Sequence, residues 1–349
     1  MISIINQKGG CGKTTTAINL GACLAHLGKT VLVADLDPQA HATLGLGINP
    51  GECEKSVYDL LISRESSARS IIRHISDRLH LLPSDIMLSA AEPVLLQREN
   101  RERQLFHTLE PVARDYDLIL IDCPPNIGIL TFNALYACSE VIIPMESGLF
   151  ALHGLAKLLE TIDLVNRKRS QDIAIHALAT MYDSRTRIAR ESLDELQKHM
   201  GGQVFRTHIN LNVKLKEAAG YGRTILDYDR NCPGARDYLS LAREVLSVRK
   251  LRKKDVDADL LRPVVSKEGV LFNYYSPNAE KVFVVADFND WKVDQSPMKN
   301  VGGVWQKLVR LKKGRYEYKF YVDGQWVNDP NNPNKVSNEF GENSIVEIE

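Results

Sequence analysis

From Met1 to about Arg252, short apolar runs alternate with stretches in which apolar residues return every three or four positions. The runs Ile2–Ile5, Val31–Ala34, Leu79–Leu82, Leu118–Ile121, Val141–Pro144, Ile173–Ala179 and Val204–His208 predict strands. Between the first two, Ala17, Leu20, Leu24 and Leu27 form one stripe of a helix that Gly28 ends. Strands alternating with helices predict a mainly parallel sheet with helices on both faces, an α/β architecture whose ligands sit at the carboxyl ends of strands. A last long helix, about Ala235 to Arg252, runs into Arg249, Lys250, Arg252, Lys253 and Lys254, and then Asp255-Val256-Asp257-Ala258-Asp259. This sign-alternating stretch predicts a linker over residues 253–266. About a dozen residues reach at most roughly 40 Å, so the flanking domains stay close.

Beyond Ser266 the pattern changes. Gly269–Tyr275, Lys281–Ala286, Val304–Leu311, Arg315–Val322 and Ser344–Ile348 are β-branched or aromatic runs, several of them alternating. Turn residues separate them at Ser276-Pro277-Asn278, Lys313-Gly314 and Asp323-Gly324. Five or more short strands without a helical signal predict a small antiparallel sandwich over residues 267–349.

Bulk properties narrow the class. A chain of 349 residues suits two domains, and 44% hydrophobic with 25% charged residues is ordinary for a soluble protein. Equal numbers of basic and acidic residues, 44 of each, argue against a constitutive polyanion binder while leaving room for a local basic patch. No apolar run approaches the roughly 18 residues of a membrane span. The chain starts within its first strand, which leaves no room for a signal peptide. Six cysteines without a Cys-x-x-Cys pair indicate neither zinc nor a disulfide framework. A cytoplasmic protein without membrane contact is expected.

The chemistry starts directly after the first strand, where residues 8–15 read Lys-Gly-Gly-Cys-Gly-Lys-Thr-Thr. Gly9, Gly10 and Gly12 remove Cβ atoms where backbone N–H groups must face phosphates. Lys13 supplies a point charge for the β- and γ-phosphates, Thr14 a hydroxyl for Mg²⁺, and the following helix turns its N-terminus to the anion. With Cys11 and Thr15 these residues form the expected nucleotide-binding loop; Cys11 reads as a small filler. The strict phosphate-loop pattern fails at Gln7, and a second lysine, Lys8, opens the loop instead. Two carboxylates follow at strand ends. Asp37, in Asp35-Leu36-Asp37-Pro38-Gln39, is placed to orient the attacking water. Asp122, before Cys123-Pro124-Pro125, is placed to hold Mg²⁺.

With these segments, and with Tyr116-Asp117, Glu146…Ala151-Leu152-His153-Gly154, residues 180–186 and Gly234-Ala235…Tyr238-Leu239, the chain from Met1 to about Val248 resembles the ParA/MinD group of deviant-loop ATPases, in particular Soj-like chromosomal ParA proteins. The resemblance implies an ATP- and Mg²⁺-dependent sandwich homodimer in which Lys8 reaches the partner's nucleotide, giving Lys8, Lys13 and Asp37 catalytic roles. It also implies slow hydrolysis stimulated by a ParB-type partner, non-specific DNA binding by the ATP-bound dimer, and association with the nucleoid. The DNA surface would include Arg185 and Lys214, with Arg187, Lys216 and Arg223 as neighbours. Asn210-Leu211-Asn212 stands where the family usually has Pro-Arg-Asn, so one arginine is missing. MinD-like membrane cycling would need a terminal amphipathic helix. Nitrogenase-type reductases would need cluster-ligating cysteines that Cys123 and Cys138 lack the surroundings to provide.

Residues 286–291 (Ala-Asp-Phe-Asn-Asp-Trp), Gly303-Val304-Trp305, residues 314–320, Val322…Trp326 and Asp329-Pro330 resemble the glycogen-binding, immunoglobulin-like early-set domain of AMP-activated kinase beta subunits. That resemblance implies an α-glucan platform of Trp291 and Trp326, with Lys319 and Asn343 bonding hydroxyls. Sugar rings stack their C–H faces on flat aromatics, so exposure decides this role. Both tryptophans could instead be sandwich core, although their neighbours Asn289-Asp290 and Asp323-Gly324 are loop residues; Trp305, in an alternating run, reads as core. Two functions follow as expectations. One is a positioning ATPase whose β-domain attaches to α-glucan or a glucan-associated protein. The other is an ordinary segregation ATPase whose β-domain makes only protein contacts.

Overall fold

The computed structural model describes the chain except residues 64–65, 147–150, 170–171, 255–260, 267–268, 277–278, 302–303, 339–340 and 349. The acidic stretch 255–259 and the turn at Pro277-Asn278 therefore lie outside the described residues. Two compact units are present: Met1–Val165 with Ile173–Ser247, and Asn166–Asp172 with Val248–Glu349.

The first unit is built on β1 (Ile2–Ile4), β2 (Val31–Asp35), β3 (Arg73–His74), β4 (Leu79–Leu82), β5 (Leu118–Asp122), β6 (Glu140–Glu146) and β7 (Ala174–Thr180). Their order is β3-β4-β2-β5-β1-β6-β7, parallel throughout except where short β3 runs against β4. Both faces are covered. Leu32, Ala34, Ile119 and Ile121 enter one core with Leu88, Leu105, Leu130 and Leu158. Val31, Val33, Leu118 and Leu120 enter a second, with Leu20 and Leu24 of α1 (Lys13–His26) and with Tyr238. Burial on both sides explains why these strands are apolar throughout instead of alternating. The helix stripe holds as well: Ala17, Leu20 and Leu24 are buried, and Gly28 ends the turn with φ near 86°, a conformation that favours glycine.

Val204–His208 departs from expectation. It lies beside β7 and makes only an isolated bridge, Ala177 to Val204, with Phe205 N–H donating to the Ala177 carbonyl at 2.9 Å. The next two amides, of Arg206 and Thr207, donate instead to the Glu244 carboxylate at 2.7 and 2.9 Å. Of these, the Thr207 N–H would have continued the ladder with β7; a charged acceptor takes it instead, and the run does not become an eighth strand.

Regular structure reaches into the expected linker from both sides. The last helix of the ATPase region covers Pro233–Lys254, and Val264–Ser266 forms strand β8. The rest of the second unit comprises β9 (Gly269–Tyr275), β10 (Val282–Ala286), β11 (Lys299–Val301), β12 (Val304–Val309), β13 (Gly314–Val322), β14 (Gln325–Val327), β15 (Lys335–Asn338) and β16 (Gly341–Ile348). One antiparallel sheet has the order β10-β13-β16-β15, with β14 also pairing β13; the other runs β11-β12-β9-β8. Strands β8, β11, β14 and β15 were not foreseen, since three or four residues are too short to show a pattern. Phe272, Trp305, Tyr318 and Phe320 fill the core between the sheets. Among the described residues no helix is long and apolar enough to cross a membrane.

Trp305 is 1% exposed and its indole N–H donates to the Ser276 carbonyl at 2.8 Å. Trp305→Ala is expected to lower the stability of the β-unit by about 3–5 kcal/mol, measured by urea unfolding of the full chain. A loss under about 1 kcal/mol would contradict this packing.

Candidate nucleotide site and aromatic platform

The loop between β1 and α1 is held by its own backbone and by neighbouring strands. Asn6 donates its amide to the Pro144 carbonyl at 2.7 Å and accepts from Lys8 N–H at 3.0 Å. Thr180, at the end of β7, donates its hydroxyl to the Cys11 carbonyl at 2.8 Å. Gly10 and Gly12 adopt φ of 74° and 88°, and open space lies where Cβ atoms of Gly9 and Gly10 would project. A bound phosphate needs such a cradle. Cys11 is buried; burial pushes its thiol upward, away from the thiolate that redox chemistry needs.

Lys13 is only 7% exposed, and its ammonium donates to the Lys8 carbonyl at 3.0 Å across the loop. Lys8 points elsewhere: its half-exposed ammonium pairs with Glu146 at 2.6 Å, at the end of β6. The two lysines therefore do different work despite flanking one loop. Thr14 and Thr15 occupy the first turn of α1, where free N–H groups lie.

The carboxyl ends of β2 and β5 bring acids to the same place. Asp35 and Asp122 stand opposite one another in the parallel register, both fully buried. Asp35 is well partnered, accepting from the Thr43 amide at 2.8 Å, the Thr43 hydroxyl at 2.7 Å and the Asp37 amide at 3.1 Å. Burial still raises its pKa to about 6. Neither oxygen of Asp122 has a hydrogen-bond partner of ordinary geometry. Burial and the Asp35 charge drive its pKa well upward, and Thr14 and Lys13 oppose that only in part. An orphaned carboxylate beside a hydroxyl suits a hard cation such as Mg²⁺. Among the described residues no three His, Cys, Asp or Glu side chains are grouped to hold a metal alone. Mg²⁺ usually takes one or two protein ligands and completes its shell with phosphates and water, so the arrangement fits. Asp37 lies beside this group, 7% exposed, accepting from Gln39 N–H at 2.9 Å.

In the β-unit, Trp291 and Trp326 lie outside the hydrophobic core. Trp326 is 49% exposed and Trp291 is half-buried, with ring centroids 6.3 Å apart and planes tilted by 47°. Tyr321 braces Trp326 edge-on at 5.2 Å. The Asp287 carboxylate fixes Trp291 by accepting its indole N–H at 3.0 Å, while its other oxygen accepts Glu317 N–H at 2.7 Å. Lys319 is half-buried on β13, two residues from Glu317 and on the same face. Asn343 differs from expectation: it is 5% exposed and donates its amide to Glu317 at 2.8 Å. Its side chain is thus already engaged within the β-unit.

Three of the five expected DNA contacts are tied to carboxylates of this chain. Arg185 pairs with Asp183 at 2.8 Å, Arg187 with Glu191 at 2.6 Å, and Lys214 with Asp229. Such exposed pairs contribute about 0–1 kcal/mol each, so a polyanion can displace them. Lys216 and Arg223 are exposed nearby in sequence, on and just after the helix Val213–Gly220.

Comparisons with known proteins follow the same division. Residues 1–175 match the family model described as AAA domain, and residues 269–349 match the glycogen recognition site of AMP-activated protein kinase. Over 246 residues the chain is 44% identical to the sporulation initiation inhibitor protein Soj of Bacillus subtilis strain 168, spanning 70% of this chain and 97% of that one. The chain belongs to the Soj/ParA family of partitioning ATPases. The chromosome partitioning protein ParA of Myxococcus xanthus is 40% identical over 248 residues, 70% of this chain and 87% of its own. Among solved structures, cobyrinic acid a,c-diamide synthase from Mycobacterium smegmatis, with bound ATP analog and magnesium, superposes with a TM-score of 0.63. It is 32% identical, over 71% of this chain and 95% of that one.

This Soj/ParA ATPase thus carries a second, carbohydrate-module-like domain. Sequence reasoning missed Asp35, Glu146, Asp287 and Glu317 as site residues. Asp35 had a visible signal, an acid closing an apolar strand. The others gain meaning from partners 26 to 138 positions away.

Replacing Asp122 by Asn removes a desolvated charge. Its folded pKa lies above the unfolded value, so the wild-type carboxyl weakens the fold progressively as pH rises above about 4. Nucleotide-free Asp122→Asn protein is therefore expected to melt higher than wild type at pH 7, with the gain shrinking toward pH 4. A gain independent of pH, read by scanning calorimetry, would rule out the charged form as its source.

Proposed function

We propose that this protein is an ATP-switched positioning ATPase whose C-terminal module binds α-glucan. The carrying observation is the fusion itself: a Soj/ParA ATPase is joined to a sandwich that presents two tilted, accessible tryptophans. ATP and Mg²⁺ are its cofactors. Bound Mg²⁺ neutralises charge that develops on the transferred phosphoryl oxygens. Thr14 and Asp122 would hold it, the Gly9–Gly12 backbone would cradle the phosphates, and Lys13 would neutralise them from within the loop. Asp37 would orient the attacking water.

Lys8 is the element that couples ATP to pairing. Lys13 already serves the chain's own nucleotide, and the Lys8 ammonium stands at the rim, held by an exposed carboxylate it can exchange. Its counter-anion in the working state is the nucleotide of a second copy. The paired form presents a doubled basic surface, including Arg185, Arg187, Lys214, Lys216 and Arg223, to nucleoid DNA. Phosphate contacts add, so this binding requires ATP and falls steeply with salt. A ParB-type or other partner speeds turnover and releases the dimer. On this reading the cargo is a polyglucan particle or an enzyme attached to one. The 44% identity to Soj favours a second reading, chromosome segregation with the β-module used for protein contacts.

With Mg²⁺ and ATP, Asp37→Ala protein is expected to elute as a dimer and the Lys8→Ala/Asp37→Ala double variant as a monomer; a double variant that still dimerises removes the role given to Lys8. Glycogen pelleting separates the two readings. Wild-type protein should sediment with glycogen, while Trp291→Ala and Trp326→Ala should each lose at least about tenfold in affinity, in line with about 1–3 kcal/mol per lost aromatic stack. No sedimentation of the wild type retires the glucan reading.

A further inference from the structure

Asp37 sits on a segment that has left the sheet, and its main chain is gripped from both sides. The Asp37 N–H donates to Asp35 Oδ1 at 3.1 Å. Its carbonyl accepts the Ser84 hydroxyl at 2.8 Å, besides the Ala40 N–H at 2.9 Å. Ser84 follows β4 and Pro83, 47 positions along the chain, and is fully buried. Its own N–H donates to Thr43 Oγ1 at 3.0 Å. The Thr43 hydroxyl and amide both donate to Asp35 Oδ2, at 2.7 and 2.8 Å. The bonds close a ring, Asp35–Asp37–Ser84–Thr43–Asp35, drawn from β2 and its following loop, from α2 (His41–Gly45), and from the loop after β4. Every member is at most 7% exposed.

This ring is more than the loop needs for hydrogen-bond satisfaction, because the Asp37 carbonyl already has the Ala40 N–H. What Ser84 adds is a fixed position. Without it, the Asp37 peptide can rotate about the Asp35 and Ala40 contacts, and the carboxylate moves with it. In-line attack by water tolerates little such movement, since a shift of about 1 Å can cost about 100-fold in rate.

We propose that Ser84 is a positioning residue for ATP hydrolysis, acting through Asp37, with Thr43 joining it to Asp35. The inference rests on Asp37 as the water-orienting residue, and the test separates the two ideas. Single-turnover hydrolysis of Mg·ATP by the full chain is measured for Asp37→Ala, Ser84→Ala and the double variant, together with KM for ATP and ATP-dependent dimerisation. Expected is a roughly tenfold fall in rate for Ser84→Ala, with KM and dimerisation within about twofold of wild type. In the Asp37→Ala background the same substitution should change nothing. Should Ser84→Ala not fold, Thr43→Val breaks the ring from the other side and should show the same selective loss, while Thr43→Ser keeps the hydroxyl and the rate. A wild-type rate for Ser84→Ala or Thr43→Val, beside a slow Asp37→Ala, overturns the proposal alone. So does a Ser84 effect that persists undiminished without Asp37, or that falls on KM and dimerisation as heavily as on rate. A wild-type rate for Asp37→Ala itself overturns the reading on which the proposal rests.

Discussion

The structure depends on a repulsion that the chain does not relieve by itself. Parallel pairing of β2 with β5 sets Asp35 directly opposite Asp122 in a fully buried layer. Asp35 is satisfied by Thr43 and the Asp37 amide, so the cost falls on Asp122, whose oxygens have no partner of ordinary geometry. Charge in a low-dielectric site is expensive unless a cation or donors compensate it. The loop around Lys13 supplies part of that compensation.

The same strand ends set the geometry of everything around them. Thr180, at the end of β7, anchors the loop at the Cys11 carbonyl, and Glu146, at the end of β6, takes Lys8 away from its own loop. The Asp35 network clamps the Asp37 peptide. One lysine therefore bonds the backbone of its own loop while the other stays at the rim, paired with a carboxylate. Division of labour between two cations eight residues from the N-terminus and five further on follows from where their carbonyl and carboxylate partners lie.

The β-unit is built on a different economy of contacts. Its core of Phe272, Trp305, Tyr318 and Phe320 is closed without Trp291 and Trp326. Asp287 and Tyr321 then hold those two rings at a fixed tilt, so little rotamer freedom remains to be lost when a ligand stacks on them. One chain thus joins this aromatic pair to an ATPase.

The phosphate loop, the acids at the ends of β2 and β5, the alternation of strands and helices, and the change to short β-runs after Ser266 were legible because each is local: spacing and residue type alone impose them. The sequence also placed Trp305 in the core, since it lies in an alternating run. Tertiary structure decided what depends on distant partners. Glu244 took the amide of Thr207, with which Val204–His208 would have continued its pairing with β7. Glu146 redirected Lys8 from 138 positions away, Glu317 engaged the amide of buried Asn343, and Ser84 gripped Asp37 from the end of the neighbouring strand in the sheet. Backbone propensity and periodicity act over a few residues, whereas a carboxylate or hydroxyl selects its partner by proximity in the folded chain, and no pattern along the sequence encodes that choice.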